Sequence, residues 1–228
     1  MRLNKGPPSH ETGAPSGVAA AVPMHIRIKI CGIANAQDAQ TAFRAGADAL
    51  GFMFYEPSPR NISTAAATEI IRTLPPLVAK VGVFVDPSPD WVRQVIAECG
   101  LDTLQFHGEE PPEFCRQFGL KVIKAFRVRD ESSLLATASY LREAWLLDSY
   151  VPGVPGGTGA RFNWELALKS ARQHAVILAG GLTPTNVAQA VRVVRPYGVD
   201  VSSGVESKPG RKDPEKVRAF IDAARRAG

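Results

Sequence analysis

A thiol and a carboxylate close two short apolar runs in this chain. Cys31 ends Lys29-Ile30-Cys31, just before Gly32, and Asp148 ends Trp145-Leu146-Leu147-Asp148, just before Ser149. A carboxylate at the end of an apolar strand is costly unless it is paired or functional. A thiol beside Lys29 has a cation at hand to tune its ionisation. Such groups can move protons, one as general base and the other as general acid. Position alone leaves each residue a second reading. Free cysteines usually serve as small core residues, and Cys99 and Cys115, on helical segments, fit that role. Asp148 could equally hold a salt bridge or cap the next loop.

Two glycine turns point to a substrate class. Ala179-Gly180-Gly181 follows one late apolar run, and Ser202-Ser203-Gly204-Val205-Glu206 follows the next. Glycine lets backbone N–H groups approach an anion closely. A lone Gly-Gly would read as a tight turn, but two such turns at neighbouring strand ends point to a phosphate. The segment 149–162, with Gly153, Gly156, Gly157 and Gly159, is long enough to close over a ligand.

The elements that must position these groups form a series. Apolar runs at 26–31, 49–54, 80–85, 103–107, 121–126, 145–148, 175–179 and 199–202 start 18 to 31 residues apart. That spacing holds a strand, a helix and two connections. Asn35 caps a helix over 36–45 that Gly46 ends, Ser63 opens 64–74, and Ser88-Pro89-Asp90 opens 91–99. Pro111-Pro112 begins a short helix that Gly119 ends. A fifth helix covers 130–142, Asn163 caps a sixth, Thr183-Pro184 starts a seventh and Asp213-Pro214 the last.

Eight strand–helix units imply a closed barrel or a doubly wound sheet. No G-x-G-x-x-G follows the first run, so the α/β fold expected is a single (β/α)8 TIM barrel. Its active site lies at the C-terminal ends of the strands, where Cys31, Arg60, His107, Asp148, Gly180 and Ser203 all fall.

Composition narrows the function classes. The 228 residues are 45% hydrophobic and 21% charged, as in an ordinary globular domain. Net charge is +5, but the basic residues are scattered and Arg211-Lys212 is their longest cluster. That pattern suits a solvated surface and a small anionic ligand better than nucleic acid. Three cysteines without C-x-x-C or zinc spacing point to a reducing, cytoplasmic compartment and no metal. No apolar run reaches the roughly 18 residues of a membrane span. Residues 1–23, rich in Gly, Pro and Ser, read as a disordered extension, with 24–228 as the catalytic barrel; Met24 is an alternative start.

In order, several motifs resemble the phosphoribosylanthranilate isomerase family. They are Lys29-Ile30-Cys31-Gly32, Gly51-Phe52 with Pro57-Ser58-Pro59-Arg60, Val81-Gly82-Val83-Phe84-Val85 and Leu104-Gln105-Phe106-His107-Gly108-Glu109. Leu147-Asp148 with Gly156-Gly157-Thr158-Gly159, Leu178-Ala179-Gly180-Gly181-Leu182 and Asp200-Val201-Ser202-Ser203-Gly204-Val205-Glu206 complete them, covering 26–221. The resemblance implies an Amadori rearrangement in tryptophan biosynthesis, with Asp148 as acid and Cys31 as base. It implies no cofactor, because the substrate's iminium nitrogen takes up the electrons. Arg60 is expected on the anthranilate carboxylate, His107 and Lys29 on the substrate, and Gly180, Gly181, Ser203 and Gly204 on the phosphate. The partner expected is a small phosphorylated molecule, with neither nucleic acid nor membrane, and the protein a monomer or homodimer. Two kinds of rival are weaker, a related barrel enzyme and a binding protein. A histidine-pathway isomerase would carry aspartate at Cys31, and an indole-glycerol-phosphate synthase would carry a lysine–glutamate pair that no motif here matches. A phosphate-binding protein without catalysis would lack Cys31 or Asp148.

Overall fold

The computed structural model describes residues 25–149 and 164–228. The expected extension 1–23, the glycine-rich loop after Asp148 and the cap at Asn163 lie outside the described residues. Eight parallel strands close into a barrel in chain order: β1 (Arg27–Cys31), β2 (Ala49–Met53), β3 (Ala79–Phe84), β4 (Thr103–Phe106), β5 (Lys121–Val128), β6 (Ala144–Ser149), β7 (Val176–Leu178) and β8 (Gly198–Val201). β8 pairs back onto β1, with Lys29 opposite Asp200. The helices are α1 (Ala36–Arg44), α2 (Thr64–Arg72), α3 (Pro89–Cys99), α4 (Pro112–Arg116), α5 (Trp164–Ala171), α6 (Val187–Val194) and α7 (Pro214–Arg225). A short hairpin, β9 (Glu206–Lys208) with β10 (Arg211–Lys212), follows β8.

The barrel forms because the strands bury both faces. Side chains alternate across a strand. Ile28, Ile30, Leu50, Phe52, Leu104, Phe106, Leu147 and Leu178 belong to the core between sheet and helices. Cys31, Val81, Val83, Ile123, Ala125, Leu146, Ile177 and Ala179 fill the barrel interior. Phe54, Phe84, Phe106 and Phe114 form a chain of ring contacts from the end of β2 to α4, stacked, tilted and edge-on in turn, at centroid spacings of 5.5, 6.0 and 5.5 Å. Local signals start the helices as expected: Asn35, Ser63 and Ser88 side chains accept from backbone N–H groups in the first turns, and Asp213 caps α7.

Two helix expectations need correction. The segment after β5 is a 3-10 helix over Glu131–Ser139, shorter and tighter than the α-helix over 130–142. Ser132 and Ser133 hydrogen-bond Asp130 there, and local bonds of this kind compete with an α-turn. α6 begins at Val187 and not at Thr183-Pro184. Thr183 N–H donates to Asn186 Oδ1 and Asn186 Nδ2 to the Gly181 carbonyl, so these residues form a turn of their own.

Candidate active site

Alternation along β1 sends Lys29 and Cys31 inward. Gly51 on β2 makes room for both: a Cβ there would lie 2.8 Å from Cys31 Sγ and 3.0 Å from Lys29 Nζ. Lys29 Nζ donates to Asp200 Oδ1 at 2.8 Å, and the pair is buried. Burial pulls the Lys29 pKa down, but Asp200 and the adjacent thiol push it up, and the net shift is upward. Burial pushes the Cys31 thiol up and the Lys29 ammonium pulls it down, with a net upward shift. Cys31 is thus a strong base when ionised, with a cation beside it to stabilise the thiolate. At Cys115 burial outweighs the opposing pull of Lys124 and Arg116. Burial pushes Cys115 up to about 12, and its thiol donates to the Glu110 carbonyl. Cys99 is also raised by burial and bonds Thr68.

Asp148 projects from the end of β6 into the same cavity as Cys31, and this cavity measures about 160 Å³. His107, just past β4, places Nε2 3.5 Å from Asp148 Oδ2. Its Nδ1 lies 3.5 Å from Gln105 Nε2. Gln105 lines the cavity and is 1% exposed, and its buried Oε1 has no hydrogen-bond partner among the described residues. The turn after His107 is fixed from behind. Glu110 accepts from Gly108 N–H and from Lys124 Nζ at 3.0 Å, while Lys124 also donates to the Gly108 carbonyl at 2.6 Å.

The cavity floor next to β7 and β8 is backbone. Gly180 and Gly181 have φ of +78° and +63°, and with Ser202, Ser203 and Gly204 they line the cavity. These turns have the form expected of a phosphate cradle. Arg60 reaches the cavity from the loop after β2, but its guanidinium is engaged by Glu206, with Nε and Nη2 donating at 2.8 and 2.7 Å. Burial pushes Glu206 up, the bonds from Arg60 and Lys212 pull it down, and the net shift is downward.

The structure therefore gathers Cys31, Arg60, His107, Asp148, Gly180, Gly181, Ser203 and Gly204 around one cavity. Lys29 lies beneath it, beside Cys31, with its ammonium held by Asp200. Sequence reasoning missed Asp200, Gln105, Glu206 and Lys212. Asp200 carried a usable signal: a carboxylate between Val199 and Val201 in an apolar strand is the pattern that singled out Asp148. Among the described residues no group of three or more His, Cys, Asp or Glu could hold a metal ion, and no helix is long and apolar enough to cross a membrane.

Comparison with known proteins gives a consistent result. The sequence profile of the N-(5'phosphoribosyl)anthranilate (PRA) isomerase family matches residues 28–223. N-(5'-phosphoribosyl)anthranilate isomerase of Trichlorobacter lovleyi is 55% identical over 203 residues, covering 89% of this chain and 99% of the relative. The crystal structure of phosphoribosyl anthranilate isomerase from Thermotoga maritima superposes with a TM-score of 0.84 at 44% identity, covering 87% of this chain and 98% of that one. A phosphoribosyl anthranilate isomerase in complex with reduced 1-(o-carboxyphenylamino)-1-deoxyribulose 5-phosphate gives a TM-score of 0.80 at 42% identity, with the same coverage.

Proposed function

We infer the site's roles from one premise: the chain belongs to the N-(5'-phosphoribosyl)anthranilate isomerase family. It is an isomerase of tryptophan biosynthesis, converting N-(5-phosphoribosyl)anthranilate to 1-(2-carboxyphenylamino)-1-deoxy-D-ribulose 5-phosphate by an acid/base-catalysed Amadori rearrangement. We propose Asp148 as the general acid and Cys31 as the general base.

Asp148 protonates the furanose ring oxygen. The C1–O bond breaks with its electrons going to that oxygen, and the nitrogen lone pair closes a C1=N iminium. The Cys31 thiolate then removes the C2 proton. The C2–H pair becomes a C1=C2 bond, and the iminium π pair returns to nitrogen. The resulting enol tautomerises to the ketose. Only protons need moving, and a pair of positioned side chains suffices for that, each worth about 10²–10⁴ in rate. The observation that carries this reading is the convergence of Cys31 and Asp148, from separate strands, on one cavity floored by two glycine turns.

The same geometry supports roles for the remaining residues. Gly180, Gly181, Ser203 and Gly204 take the phosphate, Arg60 takes the anthranilate carboxylate with donors that Glu206 leaves free, and His107 contacts the substrate beside Asp148. Lys29 is assigned to the thiol, because Asp200 and Cys31 are its neighbours. The partner is a small phosphorylated molecule, the protein a monomer or homodimer, and the compartment the cytoplasm. The test is the fluorescence change on consumption of phosphoribosylanthranilate by the purified protein. A steady decay is expected, and a flat trace with authentic substrate overturns the reading.

A further inference from the structure

We propose that Glu206, anchored by Lys212, is a positioning residue that fixes Arg60 for a carboxylate on the substrate, and so sets selectivity for a carboxylated aromatic amine. The inference rests on Arg60 as the carboxylate ligand.

Arg60 reaches the site by crossing the end of β1. A Cβ at Gly32 would lie 2.6 Å from Arg60 Cδ and 3.3 Å from its Cγ, and Gly32 has a φ of +75°. Glycine therefore opens the path that delivers the guanidinium beside Cys31. Glu206 then grips one edge of the fork, accepting from Nε and Nη2. Lys212 Nζ donates to the same Glu206 Oε1 at 2.9 Å. The Lys212 side chain is fully buried and that of Glu206 is 5% exposed. Lys212 also donates from Nζ to the Ser202 carbonyl at 3.2 Å and from its backbone N–H to Asp38 Oδ2 at 2.8 Å. The clamp is thus tied to α1, to the β8 loop and to the β9–β10 hairpin.

Donor geometry identifies the guest. Glu206 is shared between Arg60 and Lys212, so the remaining donors of the Arg60 fork are left for a further carboxylate, which a guanidinium binds through paired N–H groups. A guanidinium has five N–H donors, and Glu206 uses two. The Nη1 edge remains for the guest. A clamped fork also loses little rotamer freedom on binding, so selectivity is gained without an ordering cost.

The experiment measures dissociation constants by titration calorimetry for two stable probes. One is reduced 1-(o-carboxyphenylamino)-1-deoxyribulose 5-phosphate, and the other is the same compound without the aromatic carboxylate. Their ratio is the readout, because a general loss of folded protein lowers both affinities alike. The wild-type chain should prefer the carboxylated probe by about 10- to 100-fold, the strength of a charge-assisted contact. Arg60→Ala should bring the ratio close to one. Glu206→Gln should lower it about fivefold or more, through weaker binding of the carboxylated probe. Glu206→Asp keeps the charge beside Lys212 but shortens the reach, and should lower the ratio too; it decides the matter should Glu206→Gln not fold. A ratio that stays at the wild-type value in the Glu206 variants, yet collapses in Arg60→Ala, overturns the role of Glu206 and spares that of Arg60. A wild-type chain without preference, or an Arg60→Ala variant that keeps it, overturns the Arg60 reading itself.

Discussion

The two mouths of this barrel are built from the same eight strands, yet only one gathers the proposed proton carriers. The N-terminal mouth is the roomier, an opening of about 610 Å³ among Arg27, Ala79, Thr103, Lys121 and Ile177. Among the described residues its one lining carboxylate, Asp48, is held by Arg27 and Arg225. The C-terminal mouth holds a cavity of about 160 Å³, lined by a thiol, a carboxylate, an imidazole and an amide from three strands or their ends, β1, β6 and β4. Volume does not locate the chemistry; strand direction does. The connection before β2 is four residues, 45–48, whereas the one after it runs over 54–63 and carries Arg60. Short turns leave the N-terminal ends little reach, and long loops let the C-terminal ends add groups.

The sharpest way to break this contrast is to remove the two proposed proton carriers. Asp148→Asn and Cys31→Ala should each lower kcat by about 10²–10⁴ while the reduced product analogue still binds. Steady-state kinetics with titration of that analogue checks this, and unchanged turnover in either variant would end its assignment. Next in size is Gly51→Val, whose Cβ meets Cys31 Sγ and Lys29 Nζ. It should displace the thiol and cost about tenfold or more in kcat.

Lys29→Met probes the layer beneath the site. A Cys31 base would act as thiolate, so on that assignment kcat/KM rises with pH through the Cys31 pKa. Burial raises that pKa, Lys29 opposes the rise and Asp200 adds to it. Losing Lys29 must move the rising limb to higher pH, and a pH–rate profile that stays in place would contradict the pairing.

Glu206 gives a stability counterpart. Its folded pKa lies below the ordinary carboxylate value. Its contribution is therefore fully present above that ordinary value and fades as pH falls through the lowered one. Glu206→Gln should be less stable at neutral pH and lose less on acidification, read from denaturant unfolding at two pH values. The smallest effect belongs to the other mouth. Leu77, 94% exposed on its rim, should tolerate serine with kcat and KM within about twofold.

Much of this was legible in the chain. The eight apolar runs place each strand within two residues, because burial on both faces leaves an unbroken apolar signature. Helix starts followed from Asn35, Ser63, Ser88 and Asp213, since capping is a local interaction. The 3-10 segment was less legible because Asp130, Ser132 and Ser133 compete for the same backbone groups as an α-turn.

By itself the sequence determined the barrel and the residue types carried at the C-terminal ends of its strands, including Cys31 and Asp148, because strand order and alternation are local properties. Only the tertiary structure decided the partnerships. Lys29 meets Asp200 across 171 positions of chain, and Arg60 meets Glu206 across 146. Such contacts are made by barrel closure and loop convergence, and no spacing in a linear sequence encodes which distant charge a side chain will find.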